Sequence, residues 1–219
     1  MSFFHNANHG RLQARGIRIA YGEWVESLVA EEYAGYMLTF MFKNLPARTQ
    51  AAKIAAMHRD IELVYHRLAS RFAHHPQKAS QRRYLPIMMA APDLPVPKQD
   101  KSALNDVVLN GGLHEHAILL TPPWVSRFKY EFATWMQDHS PCLLPDTWLE
   151  RIHCLRLNET PGKATGYALK AHGGRLDADT LLILPKALSE RSQRTDKGYD
   201  EAVRSSRGPS LMRTRWKPY

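Results

Sequence analysis

Residues 110–123, NGGLHEHAILLTPP, constrain the fold more than any other stretch of the chain. Gly111 and Gly112 form a turn signal. Pro122 and Pro123 end the run, because proline brings no backbone donor to a strand ladder. Between them Leu113, Ala117, Ile118, Leu119 and Leu120 predict a buried strand. Side chains alternate across a strand, so His114 and His116 share one face, about 6.5–7 Å apart along it. Two neutral imidazoles placed in this way can grip a divalent cation from one side of a sheet. Glu115 points to the other face.

A sheet around that strand needs partners, and the chain supplies them. Residues 36–42, YMLTFMF, predict a central strand buried on both sides. Residues 47–73 predict the clearest helix. There Ile54, Met57, Ile61, Val64 or Tyr65, Leu68 and Phe72 recur at spacings of three and four. A basic polar loop is expected at 74–83, then a strand at 84–91 and a proline-rich loop at 92–102 of a kind that often borders a site. After the histidine strand, 126–139 predicts a helix capped by Ser126, and 148–157 ends in an alternating strand. Residues 166–171 predict a short helix, and 176–189 another, interrupted by Pro185. Residues 17–29 predict a strand or short helix at the domain edge. The expected architecture is α+β, a central antiparallel sheet with helices packed on one face and the other face free for a substrate.

The 219 residues suit one domain of ordinary size with appendages, or at most two small ones. Three segments are expected: an extension at 1–32, a domain at 33–190 and a basic tail at 191–219. The tail holds eight Lys or Arg against three Asp or Glu, so +5 of the chain's net +9 lies there. With so few apolar residues, that tail is expected to be disordered. The surplus of positive charge favours an anionic partner, nucleic acid above all. Cys142 and Cys154 do not form a CxxC pair, which argues against a zinc knuckle or a disulfide scaffold and for reduced core thiols in the cytoplasm. The opening residues lack the apolar core of a signal peptide, and no apolar run reaches membrane-spanning length.

One further pair carries chemistry. Tyr167 and Lys170 lie three apart, which on a helix puts them on one face. A phenol is a poor nucleophile, with a pKa of about 10. A neighbouring cation lowers the cost of phenolate character, and a metal on a phosphate makes phosphorus the better electrophile. Two histidines with a Tyr-Lys pair thus form a device for attacking a phosphodiester.

In these three pieces the chain resembles the HUH endonucleases, the single-strand nicking proteins of rolling-circle replication, plasmid mobilisation and some transposition. Met37-Leu38-Thr39-Phe40-Met41-Phe42 matches their apolar strand with a central Thr. His114-Glu115-His116 matches their histidine strand, with Glu115 where an apolar residue is usual. Tyr167 and Lys170 match their third motif, in the single-tyrosine form. The resemblance spans residues 33–190 and implies an RRM-like/HUH fold. It implies that Tyr167 attacks single-stranded DNA, leaving a 5′-phosphotyrosyl link and a free 3′-hydroxyl. His114 and His116 would hold Mg²⁺ or Mn²⁺, and Lys170 would neutralise the phenolate or the phosphate. The third metal ligand stays open among Asp93, Glu115, Asp106 and Asn110. Thr39, Lys78, Arg82 and Arg83 are the candidate DNA contacts, together with the tail. No GxxxxGK[ST] motif is present, so any helicase would be a host protein. The closest likeness is to small phage and plasmid replication initiators, with a transposase or relaxase of the same superfamily as an alternative. Two other readings use the same residues: a sheet-based nucleic-acid binder without catalysis, and a metal-dependent hydrolase in which water attacks.

Overall fold

Alternation along β1 (Ala34–Phe42) organises the molecule. Tyr36, Leu38, Phe40 and Phe42 are buried on one face, while Met37, Thr39 and Met41 are only partly covered on the other. The strand is therefore central but not buried equally on both sides. In the computed structural model, residues 3–93, 112–125, 127–158, 160–171 and 180–186 are described, with side chains described from residue 15 onward.

Among the described residues the α-helices and strands follow the order α1 (Phe3–Ala30), β1, α2 (Gln50–Phe72), β2 (Ile87–Asp93), β3 (His114–Thr121), α3 (Phe132–His139), β4 (Leu149–Arg156), α4 (Pro161–Ala168) and β5 (Leu182–Leu184). All of them lie in one unit, Met1–Pro185. The strands form one antiparallel sheet in the order β4-β1-β3-β2-β5. The fold is thus α+β, with a five-stranded sheet.

α2 begins where Thr49 accepts a hydrogen bond from the Ala52 amide at 3.2 Å, three residues later than the expected start at 47. Its apolar stripe of Ile54, Met57, Ile61, Val64, Tyr65, Leu68 and Phe72 packs on Leu38, Phe40, Ala117, Leu119 and Met88. Each fully buried side chain of this kind contributes about 1.5–3 kcal/mol. Phe132, Trp135 and Met136 of α3 join the same core. α3 starts at Phe132 because Glu131, not Ser126, caps it, accepting from the Thr134 amide at 2.7 Å; Ser126 lies outside the described residues.

Helices cover both faces of the sheet, against the expectation of one. Residues 17–29 belong to a single long helix, α1, whose Gly22, Val25 and Leu28 are buried at spacings of three. Val25 and Leu28, with Ala168 of α4, pack on Met89, Ile118 and Leu120 of the second face. Two other local expectations also change. Residues 79–84 of the basic loop form a 3-10 turn, Ala79–Tyr84. Within 176–189 the described residues form β5, not a helix, because Leu182 and Leu184 join the α2-side core while β2 supplies the ladder at Ala90 and Met88. No helix among the described residues is long and apolar enough to cross a membrane. Cys142 is exposed and Cys154 half-buried, so neither is the core thiol expected of it. The expected tail at 191–219 lies outside the described residues.

Candidate metal and nucleophile site

Period-two alternation divides the second sheet face into an apolar half and a polar half. The register aligns Met89, Ile118, Met37 and Leu155 across four strands, then Ala91, His116, Thr39 and His153, with Asp93 beside His114 at the strand ends. α1 and α4 cover the apolar rows. At the polar end three ligand atoms converge: Asp93, His114 and His116 each offer one, all within 4.8 Å of one another. Asp93 Oδ2 lies 3.4 Å from Nε2 of His114 and 3.4 Å from Nε2 of His116. The two Nε2 atoms are 3.2 Å apart.

Hydrogen bonding behind the rings aims them. His114 Nδ1 is 2.9 Å from the Gly112 carbonyl. A carbonyl only accepts, so Nδ1–H donates, and in the neutral ring Nε2 presents a lone pair. Gly112 places that carbonyl with φ 77°, in the region that favours glycine. His116 Nδ1 lies 3.1 Å from Thr39 Oγ1, across the β1–β3 pair. A lone pair, a second ring nitrogen and a carboxylate oxygen at such range repel one another unless a proton or cation joins them. Two imidazoles and one carboxylate, held from one side, form a donor set that fits a divalent metal ion. The group can hold such an ion; the donors alone do not choose which.

The electrostatics agree. Burial would raise the Asp93 pKa, but His114, His116 and Lys170 overcome it and hold the carboxyl well below the usual carboxylate range. Burial opposes charge on His114, yet Asp93 and the Gly112 carbonyl outweigh it and its pKa is raised.

α4 brings the Tyr-Lys pair to the same place. Tyr167 sits in its last turn, about half exposed, with its ring centre 5.2 Å from that of His116. Lys170 lies just past the helix end, where its amide donates to the Tyr167 carbonyl at 3.1 Å. The lysine therefore shares the tyrosine's side through a tight turn rather than a continuing helix. Its Nζ is 4.0 Å from the Tyr167 ring centre and 2.7 Å from Asp93 Oδ2. Burial works against the ammonium, but Asp93 and Tyr167 raise its pKa. α4 meets α1 backbone to backbone at two glycines: a Cβ on Gly22 would sit 3.4 Å from the Gly162 carbonyl oxygen. Arg18 Nη1 donates to the Lys170 carbonyl at 3.3 Å and ties the turn to α1.

Other candidates fall elsewhere. Glu115 is fully buried on the opposite face, 3.3 Å from His58 Nε2 of α2, so its carboxylate does not reach the His114–His116 side. Asp106 and Asn110 lie outside the described residues. Thr39 touches His116 from within the sheet. Lys78, Arg82 and Arg83 stand around the 3-10 turn ahead of β2, while Asp93 ends that strand, some ~20 Å further along. Two residues without a motif lie nearer: Arg151 and His153 of β4, exposed and in register with Met41 and Thr39. Their alternation along 149–156 is the only sequence signal they carry. Compared with known proteins, this chain matches no family model, no curated protein and no solved structure.

Proposed function

We propose that this chain is a metal-dependent nicking enzyme of the HUH endonuclease kind, which cuts and rejoins single-stranded DNA through Tyr167. One observation carries the reading. Asp93, His114 and His116 converge on the same open end of the sheet as Tyr167 and Lys170. These residues come from three separate parts of the chain, and a sheet built only for packing has no need of them together. The element order β1–α2–β2–β3–α3–β4 is the βαββαβ arrangement and supports an RRM-like sheet.

In this reading the Tyr167 oxygen bonds to phosphorus and the bond from phosphorus to the 3′-oxygen breaks. The departing oxygen takes up a proton in exchange for the one the phenol loses. Lys170 stays an ammonium, because its pKa is raised, so it supplies charge rather than acting as a base. Asp93, His114 and His116 would hold an ion that polarises the scissile phosphate. Magnesium takes oxygen ligands, so two imidazoles favour Mn²⁺ over Mg²⁺. Rejoining reverses the attack, as rolling-circle replication of a plasmid or phage would require.

A gel of the protein with labelled single-stranded DNA and Mn²⁺, boiled in detergent, tests the proposal. A slow-moving covalent species is expected from the native chain and none from Tyr167→Phe. That variant keeps the ring and should melt within about 1 °C of the native protein, being half exposed. Full nicking by Tyr167→Phe would favour attack by water. Binding without any nicking, with or without metal, would favour a non-catalytic sheet.

A further inference from the structure

One oxygen of the site does two jobs. Asp93 Oδ2 faces Nε2 of both histidines, where a metal ion would take it as a donor, and it also accepts from Lys170 Nζ at 2.7 Å. The Asp93 side chain is almost wholly buried, whereas that of Lys170 is about one-third exposed. A buried carboxylate needs a counter-charge, and among the described residues the lysine provides the one fixed charge in contact with it. The ammonium sits at the same time over the Tyr167 ring. It thus bridges the ligand oxygen and the tyrosine.

We infer that Lys170 is the resident cation of this site, holding Asp93 in the absence of a divalent ion and yielding it on loading. Two cations cannot share one oxygen without repelling each other. Lys170 therefore lowers the site's affinity for a divalent ion, and a loaded site frees its ammonium for the Tyr167 hydroxyl and an incoming phosphate. The lysine becomes available only once the ligand set is filled. Before loading it keeps the three ligands assembled. This rests on the metal site of the proposed function but not on the nicking chemistry, so it is tested by binding alone.

The experiment is titration calorimetry of the full chain with MnCl₂, alongside melting of the metal-free proteins. Lys170→Met keeps the aliphatic stem and removes the charge; Lys170→Gln serves as a second neutral variant, and Lys170→Arg keeps the charge. The neutral variants should bind Mn²⁺ on the order of tenfold more tightly than the native chain, in the usual range for coupled sites. Without metal they should melt at lower temperature, and Mn²⁺ should raise their melting point more than it raises the native one. Lys170→Arg should resemble the native chain in both respects. Unchanged or weaker Mn²⁺ binding by both neutral variants, with native binding intact, would overturn this inference and leave the metal site standing. No Mn²⁺ binding by any variant would overturn the inference and the metal part of the proposed function together.

Discussion

Thr39 is the one aliphatic hydroxyl in an otherwise apolar and aromatic strand, and it lies 3.1 Å from His116 Nδ1. Its register opposite His116 makes it a partner that orients a ligand ring, whatever else it touches. Thr39→Val keeps the shape and deletes the hydroxyl. Removing such a partner lowers metal affinity by about 10–100-fold, and Mn²⁺ calorimetry should show a loss in that range with the melting point little changed. Glu115 poses the opposite case, a carboxyl with no solvent and, among the described residues, only His58 beside it to pair with. Burial raises its pKa well above the ordinary value of 4.5. A raised folded-state pKa means that its stabilising contribution is complete below about pH 4.5 and is lost as pH climbs through the raised value. Glu115→Gln cannot ionise, so urea midpoints measured upward from pH 4.5 should fall less steeply than in the native chain. Parallel profiles would show that Glu115 keeps an ordinary pKa.

Among the elements, α1 matters most to the site without contributing a ligand. It covers the apolar half of the second sheet face and carries Arg18 to the Lys170 turn. Val25 is wholly buried there. Val25→Asp would place an unpaired carboxylate between helix and sheet, at a cost on the order of 3 kcal/mol. Chemical denaturation should register that loss, and Mn²⁺ binding should weaken with it as α4 loses its support. A variant as stable as the native chain would mean that α1 does not pack on the sheet. The helix is hard to read in the sequence because, among its described side chains, buried positions are few and one of them is Gly22, which adds no apolar signal. β5 was hidden for a related reason: three residues, LIL, are too short for periodicity to separate strand from helix.

For the whole molecule, every described element belongs to residues 1–185, while a net charge of +5 lies in 191–219. Deleting 191–219 should leave the melting point within about 2 °C and the Mn²⁺ affinity unchanged. Single-stranded DNA binding should weaken and its salt dependence become shallower, since fewer counter-ions are released; loss of folding would show that the segment packs on the sheet. The sequence by itself determined the α+β class, the central strands, α2 and the sharing of one face by His114 and His116. α2 and the shared histidine face follow from side-chain period, 3.6 for a helix and two for a strand, which short-range sterics impose before any tertiary contact forms. The central strands follow from short apolar runs closed by turn residues, and the class from the order of the elements. What lies across strands was decided only by the tertiary structure. Antiparallel register set Asp93 against His114 and Thr39 against His116, and sent Glu115 under α2. The packing of α4 on α1 brought Lys170 to Asp93. Register and helix docking depend on residues far apart in the chain, and no local pattern encodes a distance between them.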